Sequence, residues 1–297
     1  MKRWFVGSTI ALVALSAIFM LVPVSSAGQT SATATYTPSR TRDGHPDLQG
    51  VWQVLNTAAW DVEDHPASLG VPAGHGVVEG GAIPYQPWAL AKKKENFAGR
   101  AMLDPETRCY LPGVPRVTYM PHPFRIVQQA DRVTILYEYL HTVRSVFMNG
   151  NPHPAGPIDW WMGDSRGRWE SNTLVVDVIH LSDRTWLDRA GNFHSETLHV
   201  VERYTPTGPD HISYEVTLDD PMVFTRPWQM SMTLYRRQGR TATCWNWNMT
   251  AIPTCSSRNG TSPVRPSSKS RESRLGVRVH IPPQRTRGAR PQLCRRP

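Results

Sequence analysis

Cysteine is scarce in this chain and badly placed for chemistry. Its 297 residues include four, Cys109, Cys244, Cys255 and Cys294. No two stand close enough for a CxxC-type metal or redox motif, and only Cys109 lies in a stretch with the character of folded protein. No zinc signature appears either, so no metal site is expected. Long apolar runs are missing after residue 27, which leaves no later segment able to cross a bilayer. No glycine-rich phosphate cradle or dinucleotide fingerprint follows any predicted strand, so no nucleotide cofactor is expected. The formal charge of +9 suggests nucleic acid until it is located. From Thr241 onward there are eleven Lys or Arg and one acidic residue, Glu272, so this tail carries +10 and everything before it about −1. A body without a basic face excludes DNA and RNA as partners.

The one long apolar run is at the start. Lys2 and Arg3 precede a nearly unbroken apolar stretch from Ile10 to Val24, and Ser25-Ser26-Ala27 offers a small-residue cleavage site. Residues 1–27 therefore read as an export signal, which sends the mature chain to the periplasm or outside the cell, without a membrane span once the signal is removed. Residues 28–45 are rich in Ser, Thr and Ala and read as a flexible leader. Residues 46–240 read as one β domain, and 241–297 as a basic, aperiodic tail that cannot bury a core.

The tail has the look of a changed reading frame. Regrouping the codons of Cys244-Trp245-Asn246-Trp247-Asn248-Met249-Thr250 by one base yields (Leu, Met or Val)-Leu-Glu-Leu-Glu-(Tyr or His)-Asp, which alternates like a strand. A frame change would replace a terminal strand and leave a sheet edge unpaired. A genuine basic extension is the competing reading.

Within the body, period-two alternation between polar turns predicts strands over 124–128, 133–139, 142–148, 167–170, 173–180, 197–204, 211–218 and 228–236, with structure starting near Pro46–Trp52. Pro87–Arg100 reads as a short helix, and the proline-rich segment 84–123 as a cap. The fold expected is mainly β: an antiparallel meander closing as a lipocalin-like up-and-down barrel or a strongly curved sheet, with one short capping helix. One face is apolar throughout (Val133, Ile135 and Tyr137; Leu174, Val176 and Val178; Ile212, Tyr214, Val216 and Leu218). The other is mixed, and alternation alone does not say which lines the interior. Gly163–Gly167 imitates a nucleophile elbow but lies between β elements, so it reads as a turn.

Chemistry-bearing residues concentrate between His180 and Arg203. His199 with Asp177 or Glu202 forms a candidate acid–base pair. Arg203 or Arg144 would anchor a ligand's polar group, with Tyr137, Trp161, Trp186, His194 and Asp188 around it. A buried His/Arg/Asp network that merely satisfies polar groups is the competing reading.

The segments Pro46-Asp47-Leu48-Gln49-Gly50-Val51-Trp52, Trp160 to Glu170, Asp188 to Glu196 and Leu198 to Arg203 resemble an uncharacterised family of exported bacterial proteins. The resemblance extends over most of residues 45–238 and implies no established activity. Three classes follow: a small-molecule binding protein for an apolar or aromatic ligand; a hydrolase, lyase or isomerase using the His/Asp/Glu pair; or an envelope interaction module.

Overall fold

The computed structural model describes residues 36–68 and 71–238. The predicted signal at 1–27, the first part of the leader, and the tail at 241–297 with its change of frame lie outside the described residues. Nine strands, β1 (Gly50–Val54), β2 (Phe124–Gln128), β3 (Arg132–Tyr137), β4 (Val143–Phe147), β5 (Asp164–Glu170), β6 (Thr173–Ile179), β7 (His199–Gly208), β8 (His211–Asp219) and β9 (Trp228–Arg236), form a closed barrel in chain order. The helix α1 runs from Pro87 to Leu103, with proline at a first-turn position where a missing N–H costs nothing. Among the described residues no helix is long and apolar enough to cross a membrane.

A ring of nine strands cannot alternate direction at every step, because an odd number leaves one neighbouring pair pointing the same way. Here that pair is β4 and β5, joined by only two residue pairs, Val146 with Ser165 and Phe147 with Arg166. A parallel neighbour is reached by a crossover of about a dozen residues or more rather than by a tight turn. Residues 148–163 are that crossover, so the expected run of hairpins is corrected at this step. A second correction concerns Asp164–Gly167, which is the first half of β5, paired residue for residue with β6, and not a turn. A third concerns the sheet edge: β9 pairs with β1 through Trp52–Arg236, Gln53–Tyr235 and Val54–Leu234, and the ring is closed.

Alternation along the strands decides the interior. The apolar residues of β3, β6 and β8 named above point inward and are each at most 1 % exposed. Burying that surface drives closure, at about 25 cal/mol per Å². Those residues share one hydrophobic core with Trp52, Phe124, Val200, Trp228 and Leu234. Inside this core sits one ion pair. Arg144 donates through both terminal nitrogens to Glu202 and through Nε to Ser165 Oγ (3.0 Å). The Tyr204 and Tyr214 hydroxyls donate to Glu202 Oε1 at 3.0 and 2.7 Å.

The two barrel ends differ. At one end the connections are the tight turns 129–131, 171–172 and 209–210. At the other they are the five-residue β3–β4 turn 138–142 and the long segments 55–123, 180–198 and 220–227. The predicted cap plugs this second end: Val114, Val117 and Tyr119 join the core, and Thr118 Oγ1 lies 3.2 Å from the Tyr137 hydroxyl. Buried Arg116 donates to Asp104 at 3.2 Å, and Arg189 clamps Glu106 at 2.5 and 2.6 Å, tying cap to loop 180–198. Cys109, at the end of the short 3-10 turn Pro105–Arg108, is disulfide-bonded. The leader's last residues are not a loose chain. Arg40 bridges Pro46, and the Thr41 N–H donates to the His45 carbonyl at 2.8 Å, closing a small turn.

Candidate functional site

The strand seam that parallel geometry leaves weakest opens a cleft at the tight-turn mouth of the barrel, of about 340 Å³. Its floor is Val133, Met148 and Trp169, which point inward from the ends of β3, β4 and β5. Gly167 keeps the space open, since a Cβ there would collide with the Met148 sulfur and with Val146 Cγ1. The rim comes from the leader turn (Thr41, Asp43, His45), the β2–β3 turn (Gln129) and Arg168. His45 stacks on Trp169, the rings 5.1 Å apart and 8° from parallel. Gln128 is committed to structure, accepting from Leu48 N–H at 2.6 Å and donating to Pro46 O at 3.0 Å. Arg168 is likewise engaged, by Glu170 at 2.9 Å. The side chains of Asp43 and Gln129 have no hydrogen-bond partner among the described residues. A hollow of about 440 Å³ beside Asp64, His65 and His75 is a more open feature of the 64–76 loop.

Near the opposite end, on the outer wall, five side chains form a line. Arg166 holds Asp164 through Nε (2.6 Å) and a terminal nitrogen (3.1 Å). His153, carried by the crossover, places Nδ1 2.7 Å from Asp164 and Nε2 2.9 Å from Asp177. His199 Nε2 stands 3.0 Å from the other oxygen of Asp177. The hydrogen bond from His199 holds the Asp177 carboxyl below its ordinary range against partial burial, with His153 adding to the effect. The same bond raises the His199 imidazole above its ordinary value. His199 is partly exposed, and its Nδ1 has no hydrogen-bond partner among the described residues. Nearby His180 adopts a left-handed conformation (φ +63°) and lies 2.9 Å through Nε2 from the Pro154 carbonyl. Among the described residues no three His, Cys, Asp or Glu side chains converge to hold a metal ion.

The residues singled out in the sequence divide among several places. His199 and Asp177 meet. Glu202 lies on the inner face of β7, away from them, because its strand parity opposes that of His199. Tyr137 and Arg144 are also inside, sealed in the core. Arg203 is outside, donating to Glu170 at 2.9 Å. Trp161 packs on Tyr110 (4.8 Å) beneath the Arg184 guanidinium (4.4 Å). Trp186, Asp188 and His194 are buried in the 180–198 loop. His194 Nε2 lies 2.7 Å from Thr185 Oγ1, and burial pushes its imidazole below the ordinary value. Asp188 accepts from the backbone N–H groups of Val62, Ala190 and Asn192, fastening two loops. Burial raises its carboxyl, and the charge of Asp61 adds to that.

Sequence reasoning passed over His45, Asp43 and Gln129 at the mouth, and His153, Asp164 and Arg166 on the wall. The first three lie in turns and the leader, where no periodicity marks them. His153 stands in an aperiodic Asn/Pro/Gly stretch whose only signal was its length between two strands. The chain matches none of the protein-family models, curated proteins or solved structures compared with it.

Proposed function

We propose that this is an exported protein that binds a small apolar or aromatic molecule at the mouth of its barrel, between β2 and β5. The observation carrying this reading is the cleft itself. Its volume falls within the range of small-molecule sites, and it pairs an apolar floor with a few unengaged polar groups at the rim. The lumen is filled by side chains, so the site belongs at the mouth and not between inner walls. The Cys109 disulfide is in keeping with an oxidising compartment beyond the cytoplasm.

Native mass spectrometry of the protein purified from its own periplasm tests the reading: a small molecule of fixed mass should travel with it. That species should be lost in Trp169→Ala and retained in His199→Ala. An empty wild-type protein, together with no thermal shift across a panel of mono- and bicyclic aromatics, would refute it. Amino-terminal sequencing of the same preparation should begin at Gly28.

The His199–Asp177 pair favours a second reading, a hydrolase, lyase or isomerase in which His199 Nδ1 exchanges a proton with substrate while Asp177 orients the ring. It ranks below binding because neither hollow described above is lined by His199 or Asp177. Turnover lost in both His199→Ala and Asp177→Asn, with ligand affinity little changed, would reverse the order.

A further inference from the structure

Resting on the reading that the mouth cleft holds a ligand, we propose that the ligand is a planar ring bearing a hydrogen-bond donor, and that it enters by taking the place of the His45 imidazole on the Trp169 indole. Within this protein His45 already shows how such a ring sits, nearly parallel to the indole. The imidazole is exposed, and among the described residues that stack is its side chain's only contact of note. It rides on a turn that is closed on itself: Arg40 donates to the Gly44 carbonyl at 2.7 Å, and Gly44 takes the positive φ (+79°) the turn needs. Side-chain hydrogen bonds fasten only the two ends of the turn, Arg40 to Asn172 Oδ1 of the β5–β6 hairpin and Gln128 of β2 to the Pro46 carbonyl, each at 3.0 Å. Moving His45 aside therefore breaks no β ladder.

The rim sets the ligand's polarity. Asp43, on the same turn, has no side-chain partner among the described residues and as a carboxylate can only accept, so it selects a phenol, aryl amine or ring N–H and repels a carboxylate. Arg168, the one cation among the described residues that line the cleft, is held by Glu170, and Arg40 is committed to the Gly44 carbonyl and Asn172. A saturated chain would fill the Val133–Met148 floor but would gain nothing from the indole face that a planar ring can cover.

Calorimetric titration with 2-naphthol, using the full chain, tests the proposal. His45→Ala removes the internal competitor and should tighten binding by about threefold to tenfold, the equilibrium equivalent of one aromatic stack. His45→Phe strengthens the competitor and should weaken binding. Trp169→Phe should weaken it with unchanged circular dichroism, and 2-methoxynaphthalene, which lacks the donor, should bind less well than 2-naphthol. Should 2-naphthol bind the wild type, but His45→Ala bind it equally or more weakly, displacement is overturned and the cleft reading stands. Equal affinity for the methoxy compound overturns the donor requirement. No binding to wild type or His45→Ala removes both this inference and the reading beneath it.

Discussion

Arg144→Met is expected to destabilise the barrel by about 3–5 kcal/mol, the usual consequence of stranding one member of a buried ion pair. Arg144 is 2 % and Glu202 0 % exposed, so neither charge can recover its loss from water. After the substitution Glu202 keeps only the Tyr204 and Tyr214 hydroxyls, two neutral donors in place of a bidentate cation. Glu202→Leu leaves the Arg144 cation buried instead, facing an apolar side chain, and should cost a similar amount. The double variant Arg144→Met with Glu202→Leu removes both charges and orphans three hydroxyls, Ser165, Tyr204 and Tyr214, at about 1 kcal/mol or somewhat more each. It should therefore lie well short of the sum of the singles, with a coupling energy of a few kcal/mol. Urea unfolding followed by circular dichroism reads this directly. At a slope of about 2 kcal/mol per molar, a 4 kcal/mol loss moves the midpoint by about 2 M. A single-variant shift under about 0.5 M, or strict additivity in the cycle, would refute the claim that the pair is a desolvated unit.

Burial alone would push the Glu106 carboxyl up, but the Arg189 clamp and Arg116 overcome it and hold it at about 2. Its contribution is thus present above the ordinary carboxylate range and lost as pH falls toward 2. Glu106→Gln should cost about 3 kcal/mol at pH 7 and progressively less below pH 4, measured by urea midpoints across that range. Leu140 and His141 both have φ of +51° in the β3–β4 turn, a conformation that suits Asn-Gly. The replacement Leu140→Asn with His141→Gly should raise stability by about 1–2 kcal/mol, seen as a melting temperature higher by several degrees; an unchanged or lower value counts against strain there. For His199, whose imidazole is raised by Asp177, the pair's contribution is full below the ordinary histidine range and lost as pH rises through the folded-state value. Asp177→Asn should return the His199 titration seen by NMR toward the ordinary value, and no movement would mean that Asp177 does not control it.

The strands were legible because alternation is local. Val133, Ile135 and Tyr137, or Ile212 through Leu218, declare a two-residue period whatever they pack against. Which face lay inside was not legible, since the inner face carries Arg144, Glu202 and three tyrosine hydroxyls, a mixture that also suits a wide polar lumen. The ambiguity disappears only when Arg144 and Glu202 are seen to satisfy each other. Gly163–Gly167 misled for a related reason: its two glycines suggested a turn, whereas Gly167 is small because Met148, one residue past the neighbouring strand, needs the space. Pairing partners of that kind belong to the closed ring and leave no mark in the spacing of one segment. The meeting of Asp177 with His199 could be read from strand parity, but the arrival of His153 between Asp164 and Asp177 depends on the path of the crossover.

That path follows from counting. Nine strands oblige one parallel pair, and a parallel pair obliges a long return along the outside of the barrel. The return brings His153 onto the wall beside Asp164, while its first residues, Met148 and Gly150, line the cleft. Two residue pairs hold the β4–β5 seam, against seven between β5 and β6. The same odd count that directs the crossover therefore leaves the ladder thin where the mouth opens, and both candidate sites are consequences of one topological constraint. An even-stranded ring of similar sequence, with a tight hairpin in place of residues 148–163, would retain the packed core and lose the cleft and the histidine line together.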